Sequence, residues 1–299
     1  MTACPVCRSD DSQIFVRNPR DYEYFMFREV DVALLACNHC GSIYQSPWPS
    51  VEELGTLYPL DYQNYTRKDV PLLSSLLGYM VQSAATGFIK AHGAEKRILD
   101  FGCGDGTFVK ALAANGARDV TGFEPNARDN TVVFCEGFEI VRRIEDLVSR
   151  GPFAAIRMNH VIEHLHDLDG TMSTLSSLLE PGGVLVVQTP NPRSLTLRLF
   201  KKFWGGLHYP YHTALLSQFG LHQAAPRWNL CIKSITPSLM PTGWSMSVEN
   251  IAKAIGGSTR RGRTAIYGGL VLLAAPFAIA EKLFLRNSCS VYDCILEKS

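Results

Sequence analysis

The sequence has little net charge, no basic and apolar leader, no internal repeat and no low-complexity tract. A formal charge of +1 over 299 residues argues against a dedicated nucleic-acid binder. The opening Met1-Thr2-Ala3-Cys4-Pro5-Val6-Cys7 lacks the features of a signal peptide, so a cytoplasmic protein is expected. The nine cysteines are an odd number, and four of them form two Cys-x-x-Cys pairs. That pattern favours a reduced protein with a metal site over a secreted disulfide scaffold. One run resembles a membrane span, Thr264 to Ala280, with 17 uncharged residues. As a helix it reaches roughly 25 Å, short of the ~30 Å hydrocarbon core. It also holds Gly268, Gly269 and Pro276, and a strand-like Ser290–Leu296 follows, whose sheet partners lie upstream. Packed helices beside the active site are expected; an interfacial helix and a true span are the alternatives.

What is present is a globular composition, 46% apolar and 19% charged. Charge is uneven: residues 1–70 and 71–190 each carry −4, and 191–299 carry +9. The basic final third suggests an anionic partner, either a phosphorylated substrate or an acidic membrane surface, with RNA less favoured. Residues 1–50 are short, cysteine-bounded and strand-rich, with pieces at Gln13–Val16, Val32–Ala36 and Ser42–Gln45. Residues 51–95 form a connector with Tyr58, Tyr62 and Tyr65, then an amphipathic helix over Leu72–Ala91. From residue 96 to 299 strands and helices alternate, with a helical insertion near 240–287. Strands are expected at Arg97–Phe101, Asp119–Glu124, Phe153–Met158 and Val184–Thr189, and helices near 105–115, 126–136 and 167–180. Trp228–Ile235 and Ser290–Leu296 supply two further strands. The alternation predicts an α/β fold with a doubly wound parallel sheet.

The sharpest motif is Ile98-Leu99-Asp100-Phe101-Gly102-Cys103-Gly104-Asp105-Gly106-Thr107. A buried-type strand runs into glycines at every second position, then into a helix whose N-terminus carries partial positive charge. Glu124 follows at the end of the next strand, where an acid can accept both hydroxyl protons of a ribose. The dinucleotide pattern Gly-x-Gly-x-x-Gly is not met, because its third glycine falls on Thr107. The run resembles motif I of class I S-adenosylmethionine-dependent methyltransferases. Phe153–His164 resembles their motif IV, and Leu179-Glu180-Pro181-Gly182-Gly183-Val184-Leu185 resembles the turn before their fifth strand. The resemblance covers residues 97–192 and implies a Rossmann-like seven-stranded sheet. It implies a cofactor site of Asp100, Gly102, Cys103, Gly104, Gly106, Glu124, Pro125, Ile144, Glu145, Asn159 and His160, with Asp146 near the adenine. It also implies methylation, most simply of a hydroxyl, on a small-molecule, saccharide or lipid-linked acceptor.

His160-Val161-Ile162-Glu163-His164 also fits H-x-x-E-H, the inverted zinc-peptidase pattern. It follows a strand rather than lying on a helix, which disfavours that reading. Some quinone O-methyltransferases carry Glu-x-x-Glu-His here and use a divalent ion; this chain has His160 in place of the first glutamate. His160 is expected to face the transferred methyl or the substrate, with Glu163 and His164 shaping the loop. Phe203-Trp204-Gly205-Gly206-Leu207-His208-Tyr209-Pro210-Tyr211-His212 resembles a segment after the fifth strand, with Tyr211 where arginine is usual. His212 is a second candidate base. Trp204, Tyr209 and Tyr211 are candidates for an acceptor pocket or for core.

Cys4, Cys7, Cys37 and Cys40 form C-x₂-C-x₂₉-C-x₂-C, spacing suited to a structural Zn²⁺. A unit this small needs such a staple. The zinc-ribbon-like module is acidic, so no nucleic acid is expected. Its order before a methyltransferase resembles sugar and natural-product methyltransferases, many from surface-polysaccharide gene clusters. The side chains of Cys103, Cys135, Cys231, Cys289 and Cys294 are assigned no chemistry. Two rivals remain open: a non-catalytic binding module, and a membrane-associated enzyme acting on a lipid-linked acceptor such as a quinone or a lipid-linked sugar.

Overall fold

The computed structural model describes residues 3–57, 71–126, 138–256 and 267–299, with side chains in 71–77 excepted. The helix expected near 126–136 lies, past Asn126, outside the described residues. So do Tyr58, Tyr62, Tyr65, Cys135 and the cluster Arg260, Arg261 and Arg263.

The strands are β1 (Ser12–Arg17), β2 (Ala33–Cys37), β3 (Ile43–Ser46), β4 (Arg97–Phe101), β5 (Asp119–Phe123) and β6 (Phe138–Val141). They continue with β7 (Phe153–Asn159), β8 (Leu179–Pro190), β9 (Ala214–Leu215), β10 (Leu230–Ser238) and β11 (Val291–Lys298). The helices are α1 (Val51–Leu57), α2 (Pro71–His92), α3 (Thr107–Ala114), α4 (Glu145–Val148) and α5 (Leu168–Ser177). After them come α6 (Leu195–Phe200), α7 (Gln218–Ala224), α8 (Thr242–Gly256) and α9 (Tyr267–Phe284).

A seven-stranded sheet runs β10-β11-β8-β7-β4-β5-β6. The five strands from β8 to β6 are mutually parallel, and β11 is antiparallel to both its neighbours. The fold is α/β, as the alternation predicted, and Rossmann-like with seven strands, as the resemblance implied. Strand β6 was not anticipated: its four residues carry too short a pattern to separate from a loop.

Helices cover both faces because β4 is apolar on both. Ile98 and Val120 pack with Ala85, Val109 and Leu112 of α2 and α3. Leu99, Phe101 and Phe123 face the cluster that holds Met172 and Leu175 of α5. Asp167 caps α5 by accepting from the Gly170 N–H at 2.9 Å.

The cysteine-rich segment forms a second sheet, β1-β2-β3-β9. Its fourth strand comes from residues 214–215, so the segment leans on the larger unit. Ser217 donates from Oγ to the Cys40 carbonyl at 2.5 Å, and Gln45 donates to the Pro210 and His212 carbonyls at 2.7 and 2.8 Å. Trp204 and Tyr209 are buried in the core beneath this sheet, and Tyr211 packs edge-on against Tyr24. The aromatic run is therefore core, and the acceptor-pocket alternative for these three residues is set aside.

Candidate functional site

Parallel strands place their following loops at one edge, and a cleft of about 680 Å³ opens there. Asp100 is buried at 1% exposure and needs a partner. The β4–β7 register sets Arg157 directly beside it. Arg157 Nη1 donates to Asp100 Oδ1 at 2.8 Å and lies 3.9 Å from the Phe108 ring centroid. Sequence reasoning missed Arg157; the signal was an arginine inside the otherwise apolar run FAAIRM.

Gly102, Gly104 and Gly106 all have positive φ, 79°, 55° and 72°. A Cβ on Gly106 would lie 2.7 Å from Ile140 Cδ1, and one on Gly102 would strike Val161. The turn is held to β5 by the Gly102 and Cys103 N–H groups, which donate to the Phe123 carbonyl at 2.7 and 3.0 Å. Glu124, one residue past β5, accepts from the Gly104 and Asn126 N–H groups at 3.1 Å each. These bonds fix a buried carboxylate opposite the glycine turn.

Asp100, Gly102, Cys103, Gly104, Glu124, Pro125, Ile144, Asn159 and His160 all line the cleft. Gly106 shapes the turn from behind and does not line it. Glu145 does not line it either: one helical step past Ile144, its exposed side chain reaches Arg143 Nε at 3.4 Å. Asp146 is likewise exposed and outside the lining.

His160, one residue past β7, has φ 55°, a left-handed conformation costing about 1 kcal/mol or more in a non-glycine residue. It turns the ring into the cleft, and Nδ1 lies 3.1 Å from Oε1 of the fully buried Glu163. Burial pushes the Glu163 carboxyl up, but the hydrogen bond and charge of His160, with the charge of His164, hold it below the usual carboxylate range. Glu163 also accepts from Thr189 Oγ1 at 3.0 Å. The pair therefore has a buried anion orienting a histidine whose other nitrogen is available to a hydroxyl.

His212 is not in the cleft lining. It sits behind Glu163, with Nε2 3.9 Å from Oε1 and Nδ1 2.9 Å from the Gly206 carbonyl. The expectation of His212 as a base is corrected to a supporting position, because the loop from β8 to β9 folds it inward. Its ring lies 4.6 Å from that of His164. Burial lowers the His164 imidazole to about 4 and depresses His212 as well. Glu163, His164 and His212 bring ligand atoms within 4.8 Å of one another, a set able to hold a cation.

The depressed His164 has a consequence for stability. The unfolded chain takes up a proton near pH 6.5 that the folded chain refuses until about pH 4. Stability is therefore full above pH 6.5 and falls as the pH drops toward 4, by up to about 3 kcal/mol. Urea midpoints recorded across that window should decline steadily, and less so in His164→Phe. A flat profile would contradict a depressed His164 imidazole.

The four cysteines form a second centre. Cys4 and Cys40 sulfurs lie 3.8 Å apart, Cys7 and Cys37 sulfurs 3.5 Å apart, and all four fall within 4.8 Å. A tetrahedron of zinc–thiolate bonds of about 2.3 Å has edges of about 3.8 Å.

Residues 79–233 match the family described as "Methyltransferase domain". The chain is 36% identical over 104 residues to a ubiquinone biosynthesis O-methyltransferase of Xylella fastidiosa (strain 9a5c), the match taking in 32% of this chain and 42% of that protein. It is 33% identical over 103 residues to the protein of the same description from Rhizobium leguminosarum bv. trifolii (strain WSM2304), covering 32% and 40%. The chain thus spans less than half the length of these curated relatives. Among solved structures, a SAM-dependent methyltransferase from Archaeoglobus fulgidus aligns with a TM-score of 0.46 and 19% identity, over 77% of this chain and all of that one.

Proposed function

The chain belongs to the methyltransferase domain family, and from that premise we propose that it transfers the methyl group of S-adenosylmethionine to a hydroxyl of a small-molecule or saccharide acceptor. The observation that carries this reading is Glu124, a buried carboxylate pinned by two backbone N–H groups across the cleft from the glycine turn. The cleft fits the cofactor in donor chemistry: a carboxylate for a diol, Ile144 for the adenine, and a turn whose lining glycines put no Cβ in the ligand's way. When bound, S-adenosylmethionine supplies an electrophilic methyl carbon on a sulfonium sulfur.

This chain's own residues then do the following. Glu124 accepts from the ribose hydroxyls. The Gly102–Gly106 turn and Asp100, itself held by Arg157, orient the methionine portion. His160 takes the acceptor proton on Nε2 while Glu163 holds its Nδ1–H. Closing of the acceptor onto the cleft desolvates both reactants and holds them in line, at about 3 Å. The names of the curated relatives support an oxygen acceptor. The cysteine module ahead of the domain supports a saccharide or natural-product acceptor, and the working compartment is the cytoplasm. The test is mass spectrometry of candidate hydroxylated acceptors incubated with labelled cofactor: a gain of one labelled methyl supports the reading, and its absence across sugars and phenols alike opposes it.

The cysteine centre is assigned to a structural zinc. Four thiolates at near-tetrahedral spacing suit that ion, and the Cys40 carbonyl and Ser42 tie the centre to α7 through Ser217. Metal analysis of the purified protein should return about one zinc per chain. Cys4→Ser should lose it and lower the thermal midpoint, since ligand-set binding energy is folding energy. Full zinc content in that variant would contradict the assignment.

A further inference from the structure

Helices α8 and α9 are inside out. The side of α8 turned to the protein carries Ser245, Ser247, Glu249 and Lys253, all buried. Their bonds are internal: the Gly205 N–H donates to Ser247 Oγ at 3.0 Å, and Lys253 Nζ donates to the Tyr22 carbonyl at 2.8 Å. The inward side of α9 ends in Glu281, which accepts from Ser290 Oγ at 2.9 Å. The outward side is apolar. Leu272, Leu273, Phe277, Leu283 and Phe284 of α9 all face solvent, Leu273 at 71% and Phe284 at 80%, and Ile255 at the end of α8 is 83% exposed. A soluble monomer rarely leaves so large an apolar face uncovered.

The charge around that face has one sign. Arg198 of α6, Lys201 and Lys202 in the turn after it, and Lys282 and Arg286 at the end of α9 are exposed. The two carboxylates of α8 and α9, Glu249 and Glu281, are buried. Among the described residues of these elements, every exposed ionisable side chain is therefore a cation. The turn bearing Lys201 and Lys202 packs on α8, and Phe200, Trp244 and Phe277 form a continuous ring contact from α6 to α9. The basic rim and the apolar face are thus one surface.

We propose that this surface docks on an anionic lipid bilayer, with α9 lying in the interface. Apolar side chains enter the headgroup boundary while the rim meets lipid phosphates and carboxylates. A second copy of the chain would bring the same cations face to face, so self-association is the poorer occupant. A crossing is excluded by connection. Strands β10 and β11 pair side by side, with Ser238 opposite Val291, so the chain leaves and re-enters the sheet at one edge. At 18 residues α9 is also about 27 Å long, under the ~30 Å of hydrocarbon. That edge, where Val291 pairs with Pro190 at the end of β8, is the carboxyl edge that also carries the cleft. Docking would place the cleft beside the bilayer surface. The docking surface is independent of the transfer chemistry.

The experiment is co-sedimentation of the full chain with vesicles of phosphatidylcholine alone and of phosphatidylcholine mixed with phosphatidylglycerol. Binding to the anionic vesicles, weakened by salt, is expected. Leu273→Gln/Phe284→Gln should cut partitioning at least about tenfold, and Lys282→Glu/Arg286→Glu by a similar factor. All three proteins should keep the same S-adenosylmethionine affinity, which separates a lost surface from a lost fold or a failed methyltransferase reading. Absence of binding to anionic vesicles would overturn the proposal. So would equal binding of wild type and both variants, or a dimer in sedimentation velocity that Leu273→Gln/Phe284→Gln disperses.

Discussion

Gly104→Val is expected to abolish S-adenosylmethionine binding in calorimetry, and Glu124→Ala to weaken it by about 1.5–3 kcal/mol, the range for a hydrogen bond to a charged group. The first effect is conformational. Gly104 sits at φ 55°, which a β-branched side chain adopts only with strain, and its N–H anchors Glu124 at 3.1 Å. A valine there moves the turn and the carboxylate together. The second effect is chemical: Glu124→Ala removes the proposed acceptor of the ribose hydroxyls, while the Gly102 and Cys103 bonds to the Phe123 carbonyl still hold the turn. Normal affinity in Gly104→Val would remove the cofactor from this cleft. An unchanged dissociation constant in Glu124→Ala would leave the cofactor in place and remove the ribose assignment.

His160→Asn should lower kcat by about 10²–10⁴-fold, the usual worth of a positioned base, while the cofactor dissociation constant holds. Glu163→Gln lowers kcat as well, because an amide no longer specifies which imidazole nitrogen keeps the proton. It also leaves Thr189 Oγ1 and His160 Nδ1 without their carboxylate in a buried place. The two losses should not add, since both residues act on one proton. His212→Asn tests the corrected placement: outside the cleft lining and held by the Gly206 carbonyl, it affects stability more than the pH dependence of kcat. An unchanged kcat in His160→Asn would end its role as base.

The reach of sequence reasoning followed the range of each interaction. Asp100, the glycine turn and Glu124 were legible because a strand end, three glycines and a second strand end occupy adjacent segments. Arg157 was not, since its value comes from the β4–β7 register, which pairs residues 57 apart in the chain. Glu145 was misplaced by one position: a helix turns successive side chains about 100° apart, so Ile144 faces the cleft and Glu145 faces Arg143. His212 was read as a base from its residue type, and only the fold shows that it lies outside the cleft lining, against Glu163 and His164. The four cysteines were legible from spacing, but not that β9, two residues long, completes their sheet. For α8 and α9 the apolar run was visible. Its outward direction depends on which side Ser247, Lys253 and Glu281 bond, and that is a tertiary fact.

The most direct measurement is a crystal structure of the full chain soaked with S-adenosylhomocysteine. The nucleoside should lie in the cleft with both ribose oxygens in hydrogen-bond contact with the Glu124 carboxylate, the adenine against Ile144, and the sulfur turned toward His160. Density for the compound elsewhere, or a cleft still empty at saturating concentration, would contradict the account at its root.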